Sequence, residues 1–420
     1  MEKFDLIVVG GGFAGVSAAV CAARKGMRVL IADENNCFGG AAANCLVNPF
    51  MPTRTVNPET KEKIELSRGF FSEIVEELKK YNAIDNHCSK FSEEYLKLIL
   101  NRKLIEAGVK ILFHVRLTEV KRCNDKIQSL VFSYESGKVE LCADYYVDAT
   151  GDANLAYLAG CPVRLGRESD NLCQPMTLCF RVSGVDEEAL EKEREQMDKY
   201  YKKLQGEGKL KNPREDILLF RTLQNGIIHF NSTRIVKKNP TDVFDVTEAE
   251  IEAREQVFEL FNLLKGNFSS FKNSQIISTA MHIGIRESRM IDGEYILTQE
   301  DLLSLKRFDD AIACTNYDID IHNPSGTGTS HHFFKAGEYY TIPYRCLIPK
   351  GVRNMLVAGR CISSTHEAQA SYRIMPVCSN LGEACGVALS QLKGKNEDVR
   401  NVDIKLLQET LIENGAFLGV

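Results

Sequence analysis

Phe4-Asp5-Leu6-Ile7-Val8-Val9-Gly10-Gly11-Gly12-Phe13-Ala14-Gly15 opens the chain, and its reading decides the fold. A short apolar strand runs straight into G-x-G-x-x-G. An Ala-rich helix is predicted from about Ala14 to Lys25, with Gly26 placed to cap it. A second strand, Arg28 to Ala32, ends at Asp33-Glu34. Each part has a physical task. Gly10 permits a tight turn, Gly12 lets the backbone approach a pyrophosphate, and Gly15 lets the helix pack closely on the strand. The helix N-terminus, with Phe13 and Ala14 in its first turn, offers unpaired N–H groups and a positive dipole end. Asp33, 23 positions beyond Gly10, is placed to accept hydrogen bonds from a ribose diol, with Glu34 beside it. A glycine turn without a ligand is the alternative. It gives no reason for strand, glycines, helix and acid to follow in this order.

Three later stretches extend the argument from a dinucleotide to a longer ligand. Gly39-Gly40-Ala41-Ala42-Ala43 puts small residues just past the ribose acid, so that backbone can lie against something reaching beyond a diphosphate. Tyr145-Tyr146-Val147-Asp148-Ala149-Thr150-Gly151-Asp152 reads as a strand returning to the nucleotide crevice, with Asp152 expected to cap the next helix. Asn354 to Arg360 reads as another buried strand ending at Gly359. Arg373-Ile374-Met375-Pro376 then opens a helix running to about Ser390, and proline suits its first turn. A helix start there is suited to the negative charge of a reduced flavin's pyrimidine ring. A nicotinamide enzyme has no need of that return. With no second G-x-G-x-x-G, a built-in NAD(P)H domain is not expected.

Asp5 to Gly15, Gly39-Gly40, Asp148 to Asp152 and Leu356 to Gly386 together resemble the FAD-dependent oxidoreductase domain family, whose flavin domain is similar to those of fumarate reductase flavoproteins and aromatic-ring hydroxylases. Ile283-Gly284-Ile285-Arg286-Glu287-Ser288-Arg289, Gly293 to Thr298, and Ile342 to Pro349 match the same family, so the likeness spans nearly the whole chain. It implies an FAD-bearing oxidoreductase and leaves the reaction open. Beyond the first glycine loop and Asp33-Glu34, the residues expected to touch FAD are Gly39, Gly40, Ala41, Val115, Ala149, Thr150 and Gly151. At the far end they are Gly359, Arg360, Arg373, Met375 and Val377.

Composition narrows the class. Apolar residues make up 44% of 420 residues and charged ones 26%, which is ordinary for a globular protein. The net charge of -5, without a basic block, argues against nucleic acid as a partner. No apolar run approaches a membrane span. The N-terminal strand leads into a glycine loop and not a cleavage site, so no signal peptide is expected and the location is read as cytoplasmic. The 14 cysteines include no C-x-x-C. Reduced, packed thiols are expected, with no metal or cluster.

The expected fold class is α/β: a Rossmann-like FAD-binding domain with an inserted β-meander, plus a mixed α+β substrate domain. The first part of the FAD domain is assigned to residues 1–160 and its C-terminal part to 341–395. A substrate or cap domain is assigned to 161–340, and a C-terminal helical segment to 396–420. Pro52 to Ser67 reads as an exposed loop, followed by helices at about Arg68 to Lys80 and Ser92 to Ala107. Met176 to Val182 reads as a strand and Asp186 to Gln205 as a charged, solvated helix. Thr247 is expected to open another helix, with Glu250 completing a capping box and Ile251, Phe258, Phe261 and Leu264 on its core face.

A flavin moves electrons itself, and protein groups position substrate and handle protons. Asp318 to His332 carries His322, His331 and His332 between the middle region and the last flavin-domain segments. One of the three is expected to act on protons, although each taken alone fits a structural hydrogen-bonding role. Arg286 and Arg289 suit an anionic substrate and equally suit pairing with Glu287 or Asp292. Arg345 invites the same two readings. His366 lies between the last nucleotide strand and its helix, and is a minor candidate for covalent flavin attachment. Cys45 reads as a packed thiol in preference to a redox one. The leading expectation is an enzyme transferring hydride or electrons between a small-molecule substrate and flavin N5, with an external acceptor or donor. A redox-neutral flavin isomerase or transferase, or a flavin-binding protein without turnover, is the alternative.

Overall fold

Leu6 and Val8 face one apolar core while Ile7 and Val9 face another, as a strand buried on both sides of an α/β sheet requires. The computed structural model describes residues 3–419; Met1, Glu2 and Val420, which bound the expected segments, lie outside it. Strand β1 (Lys3–Val9) leads to α1 (Phe13–Arg24) and β2 (Val29–Ala32), and a single helical turn, α2 (Ala41–Asn44), follows. The expected exposed loop at 52–67 is instead a hairpin, β3 (Arg54–Val56) and β4 (Lys63–Glu65). Thr53, Thr55, Leu66 and Ser67 are buried within it. Its polar composition concealed contacts made by residues from distant parts of the chain, such as the hydrogen bond from Gly337 N to Thr55. Then come α3 (Phe70–Lys80), α4 (Glu93–Glu106), β5 (Lys110–Leu112) and the meander β6 (Arg116–Cys123), β7 (Lys126–Tyr134) and β8 (Gly137–Asp148). One continuous strand joins meander to parallel sheet. Residues 137–141 of β8 pair antiparallel with β7, and its residues from Cys142 onward pair parallel with β1. The order is β5-β2-β1-β8-β7-β6.

The middle of the chain builds a different core. After α5 (Asn154–Leu158) and β9 (Val163–Leu165) come β10 (Phe180–Ser183), α6 (Glu187–Gly206), β11 (Leu219–Arg221), β12 (Ile228–Phe230), α7 (Val243–Asn267) and β13 (Gln275–Thr279). An antiparallel sheet, β11-β12-β10-β13, shares its core with α6 and α7. Strand β14 (Arg289–Ile291) then pairs back on β9. Three expectations are corrected here. Only Phe180 to Val182 of the expected Met176–Val182 strand is regular, within a strand that runs on to Ser183, while Met176 and Thr177 form single bridges. Helix α7 starts four residues before Thr247, where the Asp242 side chain accepts from two backbone N–H groups and is the stronger cap. Thr247 donates to the Val243 carbonyl, and Glu250 accepts from Ile283 N. The buried face is also only partly the expected one. Val257, Leu260, Phe261 and Leu264 are inside, whereas Ile251 and Phe258 are exposed.

The last third returns to the first core through α8 (Gln299–Leu303), β15 (Ala311–Thr315), the hairpin β16 (Ile319–His322) and β17 (Thr329–His332), β18 (Tyr340–Pro343) and β19 (Met355–Val357). Strand β19 pairs parallel with β8, opposite Tyr146 to Asp148. Helices α9 (His366–Tyr372), α10 (Met375–Gln391) and α11 (Ile404–Glu413) finish the chain, with Pro376 in the first turn of α10 as expected. Helix α10 lies against α1. A Cβ on Gly382 would sit 1.9 Å from Ala14 O, and one on Gly386 2.4 Å from Ala18 O. These two contacts also give direction: the helices run parallel, and α10 begins roughly 10 Å ahead of the start of α1.

Inside this contact, Glu383 accepts a hydrogen bond from Phe70 N at 3.0 Å. Burial, reinforced by the charge of Glu73, pushes its carboxyl from 4.5 up to about 7. A raised acid binds its proton more tightly when folded. Its cost to stability therefore appears as pH climbs from 4.5 through 7, and reaches roughly 3 kcal/mol above that. Glu383→Gln is expected to raise the unfolding midpoint at pH 8 and change it little at pH 5. Equal midpoints for the two proteins at pH 8 would refute this.

Candidate functional site

The glycines of the first loop meet three kinds of space. Gly10 has φ +101°, and a Cβ there would stand 2.4 Å from Ala149 O, so the turn presses on the end of β8. A Cβ on Gly15 would stand 1.8 Å from Gly10 O, which fixes α1 against the turn. Over Gly12 the nearest atom is Gly40 Cα at 4.0 Å. That opening lies at the start of α1, and α1, α2 and α10 all lack a side-chain cap. At α1 and α10 the first-turn N–H groups lack a side-chain partner, as an anion at a helix start requires, whereas Ala42 N of α2 donates to Gly39 O. The staggered parallel starts of α1 and α10 suit a molecule with a diphosphate at one point and an anionic ring farther on. FAD fits that description.

The other expected cofactor residues gather around this opening. Gly39 N donates to Gly11 O at 2.8 Å, and a Cβ on Gly40 would stand 3.0 Å from Gly12 Cα, with Ala41 next in α2. Ala149 N donates to Val9 O, and Thr150 N and its hydroxyl both donate to Asp148. A Cβ on Gly151 would meet the Arg360 guanidinium, and one on Gly359 would touch Ala14. Asp33 is buried and accepts from Gly11 N and, on its other oxygen, from Asn35. Val115 N donates to the Asp33 carbonyl at 3.2 Å. Glu34 is directed outward to Arg116, 3.8 Å away. Phe13 and Val377 are buried, with Phe13 edge-on to Phe50, and Met375 is half-buried at the start of α10. Asp152 is not the expected cap; Ala153 takes that position. The Asp152 carboxylate instead holds Arg360 at 2.7 Å and the Ser288 hydroxyl, tying the end of β8 to the segment before β14.

Beside the start of α10 lies a buried polar network. Glu287, fully buried, accepts from His366 Nδ1 at 2.8 Å and from Gln174 N at 2.8 Å. The Gln174 side chain donates to Gln369 and accepts from His322 N. Gln369 in turn donates to the Arg286 carbonyl. Arg286 donates to Pro175 O and Thr177 Oγ1, and reaches Asn231 Oδ1 at 3.3 Å. Arg373 Nη2 lies 3.3 Å from Asp320 Oδ2. His322 is neutral by geometry. Arg234 can only donate, so Nδ1 accepts from it at 3.1 Å, and Nε2 carries the proton toward Asp320 at 3.3 Å. Burial, with the Arg286 charge beside it, pushes the His322 imidazole down to about 3. Burial works against the Asp320 carboxylate too, but the His322 hydrogen bond and the charges of Arg373 and Arg286 outweigh it. They hold Asp320 well below the usual range.

The structure thus brings Arg286, His322, His366 and Arg373 into one region, with His331 at its edge 3.7 Å from Asp320, and places Arg345, His332 and Arg289 apart. Arg345 is held by Asp310 at 2.9 Å and lies near the Tyr295 ring. His332 is exposed against Phe334. His331 shares the face of Asp320 across the β16–β17 hairpin and bonds Asp318 at 2.6 Å. Ligand atoms of Asp318, Asp320 and His331 lie within 4.8 Å of one another, but the adjacent Arg373 guanidinium opposes a cation there. Arg289 contacts Asp152 O and Asn154, and neither it nor Arg286 pairs with Glu287 or Asp292. Burial pushes the Cys45 thiol up to about 12, which removes the thiolate a redox role needs. All 14 cysteines are free.

Reading the sequence missed Asp320, Gln174 and Glu287 as members of this network. Asp320 had a usable signal, because period-2 spacing in Asp318-Ile319-Asp320-Ile321-His322 puts both acids on the face of His322. Gln174 and Glu287 lie 113 positions apart and had none.

Residues 5–411 match the family model described as FAD dependent oxidoreductase. Over 161 residues the chain is 32% identical to a thiamine thiazole synthase of Aeropyrum pernix, covering 36% of this chain and 55% of that protein. Over 163 residues it is 28% identical to the soluble pyridine nucleotide transhydrogenase of Chromohalobacter salexigens, covering 36% and 31%. The chain therefore spans about half the length of the first relative and less than a third of the second. Among solved structures it is similar to the p-nitrophenol 4-monooxygenase PnpA from Pseudomonas putida DLL-E4, at 11% identity and TM-score 0.48, covering 100% of this chain and 90% of that one. No described helix is long and apolar enough to cross a membrane.

Proposed function

Since this chain belongs to the FAD dependent oxidoreductase family, we propose that it transfers hydride or electrons between a small-molecule substrate and the flavin, with His366 handling the accompanying proton. Residues 1–160 and 341–395 supply the cofactor side and residues 161–340 the substrate side. FAD, when bound, accepts or returns two electrons at N5. The protein's residues do the rest. The uncapped start of α1 would hold the diphosphate, and the start of α10 would favour the negative charge that a reduced flavin gains.

The observation carrying this reading is the buried Glu287–His366 pair in the polar network that leads through α9 to the start of α10. Glu287 accepts the Nδ1–H hydrogen bond, which fixes the ring and, in the neutral imidazole, leaves the lone pair on Nε2. Gln174 N holds Glu287 in turn, so the orientation comes from a second layer of contacts. His322 has both ring nitrogens engaged, and it serves to position Asp320 and Arg373. The test is anaerobic mixing of the FAD-loaded protein with candidate substrates while flavin absorbance is followed. A substrate should bleach the flavin. His366→Gln should slow that half-reaction by roughly 100-fold or more and flatten its pH dependence, with FAD content unchanged. Turnover in which the flavin never bleaches would instead establish redox-neutral chemistry.

A further inference from the structure

We infer that the substrate carries a carboxylate, and that Arg286, with the Arg373 guanidinium beside it, binds that group. The inference rests on the oxidoreductase reading above and deepens it. Four arginines converge on the substrate side of the network, and three have acidic partners. Arg214 lies 3.1 Å from Asp216, Arg234 2.9 Å from Glu215, and Arg373 3.3 Å from Asp320. Arg286 has no carboxylate within ion-pair distance among the described residues. Its partners are a carbonyl, a hydroxyl and an amide oxygen. Half-buried Arg286 has lost part of its hydration without gaining a counter-charge, and an arriving anion would supply one. Arg373 adds a second opening, because its Nε is buried and has no acceptor.

The anchors of Arg286 decide what the anion belongs to. Pro175, Thr177 and Asn231 flank β10 and β12, in the sheet of the middle region. The cofactor side has its own positive end in the start of α10. Arg286 is therefore built into the wall facing the flavin, and not into the flavin's own cradle. The charge count favours a carboxylate over a phosphate ester. One unmatched arginine balances the single charge of one carboxylate group, whereas a phosphate concentrates about −1.5 to −2 on one group near neutral pH. A planar carboxylate also matches the guanidinium fork.

The experiment uses FAD-loaded protein and four probes: lactate, succinate, lactamide as a neutral analogue, and inorganic phosphate. Binding is read from the perturbed flavin spectrum and from the rise in unfolding midpoint. Lactate or succinate should bind, lactamide should not, and phosphate should bind more weakly than the carboxylates. Arg286→Gln should weaken carboxylate binding by about 10- to 100-fold at unchanged FAD content, and Arg286→Lys should recover part of it. If Arg286→Gln does not fold, Arg286→Lys and Arg373→Gln carry the test, each with weakened carboxylate binding. Carboxylates that ignore the wild-type protein, bind equally to the variants, or bind no better than phosphate or lactamide would overturn the inference. The oxidoreductase reading would survive that result, because it falls only if a substrate turns over without the flavin ever bleaching.

Discussion

Gly12→Ala apoprotein is expected to unfold at the wild-type midpoint and to bind FAD on the order of 100-fold more weakly. The reason is the contrast between two glycines three positions apart. At Gly12 a Cβ meets nothing of the protein closer than 4.0 Å, so the fold accepts the methyl group. The space it enters lies over the uncapped start of α1, where the diphosphate would approach. At Gly15 a Cβ would overlap Gly10 O at 1.8 Å and press on Ala149. Gly15→Ala must therefore push α1 off the turn, and it is expected to lose stability and FAD together. FAD titration, followed by flavin fluorescence, and thermal unfolding of both apoproteins separate the two effects. A Gly12→Ala protein that keeps full FAD affinity would mean that the opening over α1 is not the cofactor's path.

The second large effect is expected at Arg234. Its side chain is 1% exposed, yet it holds five groups: Glu215, His322, Thr329 and the carbonyls of Gly326 and Gly328. All but Glu215 belong to the β16–β17 hairpin. Arg234→Met keeps much of the length and removes every donor, leaving Glu215 without its arginine and the Gly326 carbonyl unpaired, while Gly328 O keeps Asn323 N. Breaking a fully buried ion pair from one side costs about 3–5 kcal/mol, and the loss here should fall below that range because Glu215 is one-third exposed and keeps the Thr329 hydroxyl. The loss should concentrate in the hairpin, so limited proteolysis should cut near residues 323–328 before the rest of the chain opens. His322 would also lose the donor that fixes its tautomer, which loosens Asp320 and Arg373. Unchanged denaturant stability together with an equally protected hairpin would refute this account.

The sequence by itself determined the cofactor half of the molecule. Gly10, Gly12, Gly15 and Asp33 lie within one local strand–turn–helix unit, and such units are specified by neighbouring residues: glycines where backbone must turn or approach, apolar residues where a strand is buried on both faces. The same logic made the start of α10 legible from Pro376. Local signals failed where tertiary contact set the outcome. Thr247 and Glu250 make a plausible cap in isolation, but Asp242 and the buried face of α7 placed the helix start earlier, and Glu250 was drawn to Ile283 N. Asp152 suited a cap and was taken by Arg360, 208 positions away. The polar network was decided by the tertiary structure alone. Whether an arginine is matched by a carboxylate depends on which residues fold against it: Arg286 lies against neutral oxygens, whereas Arg345 lies on Asp310.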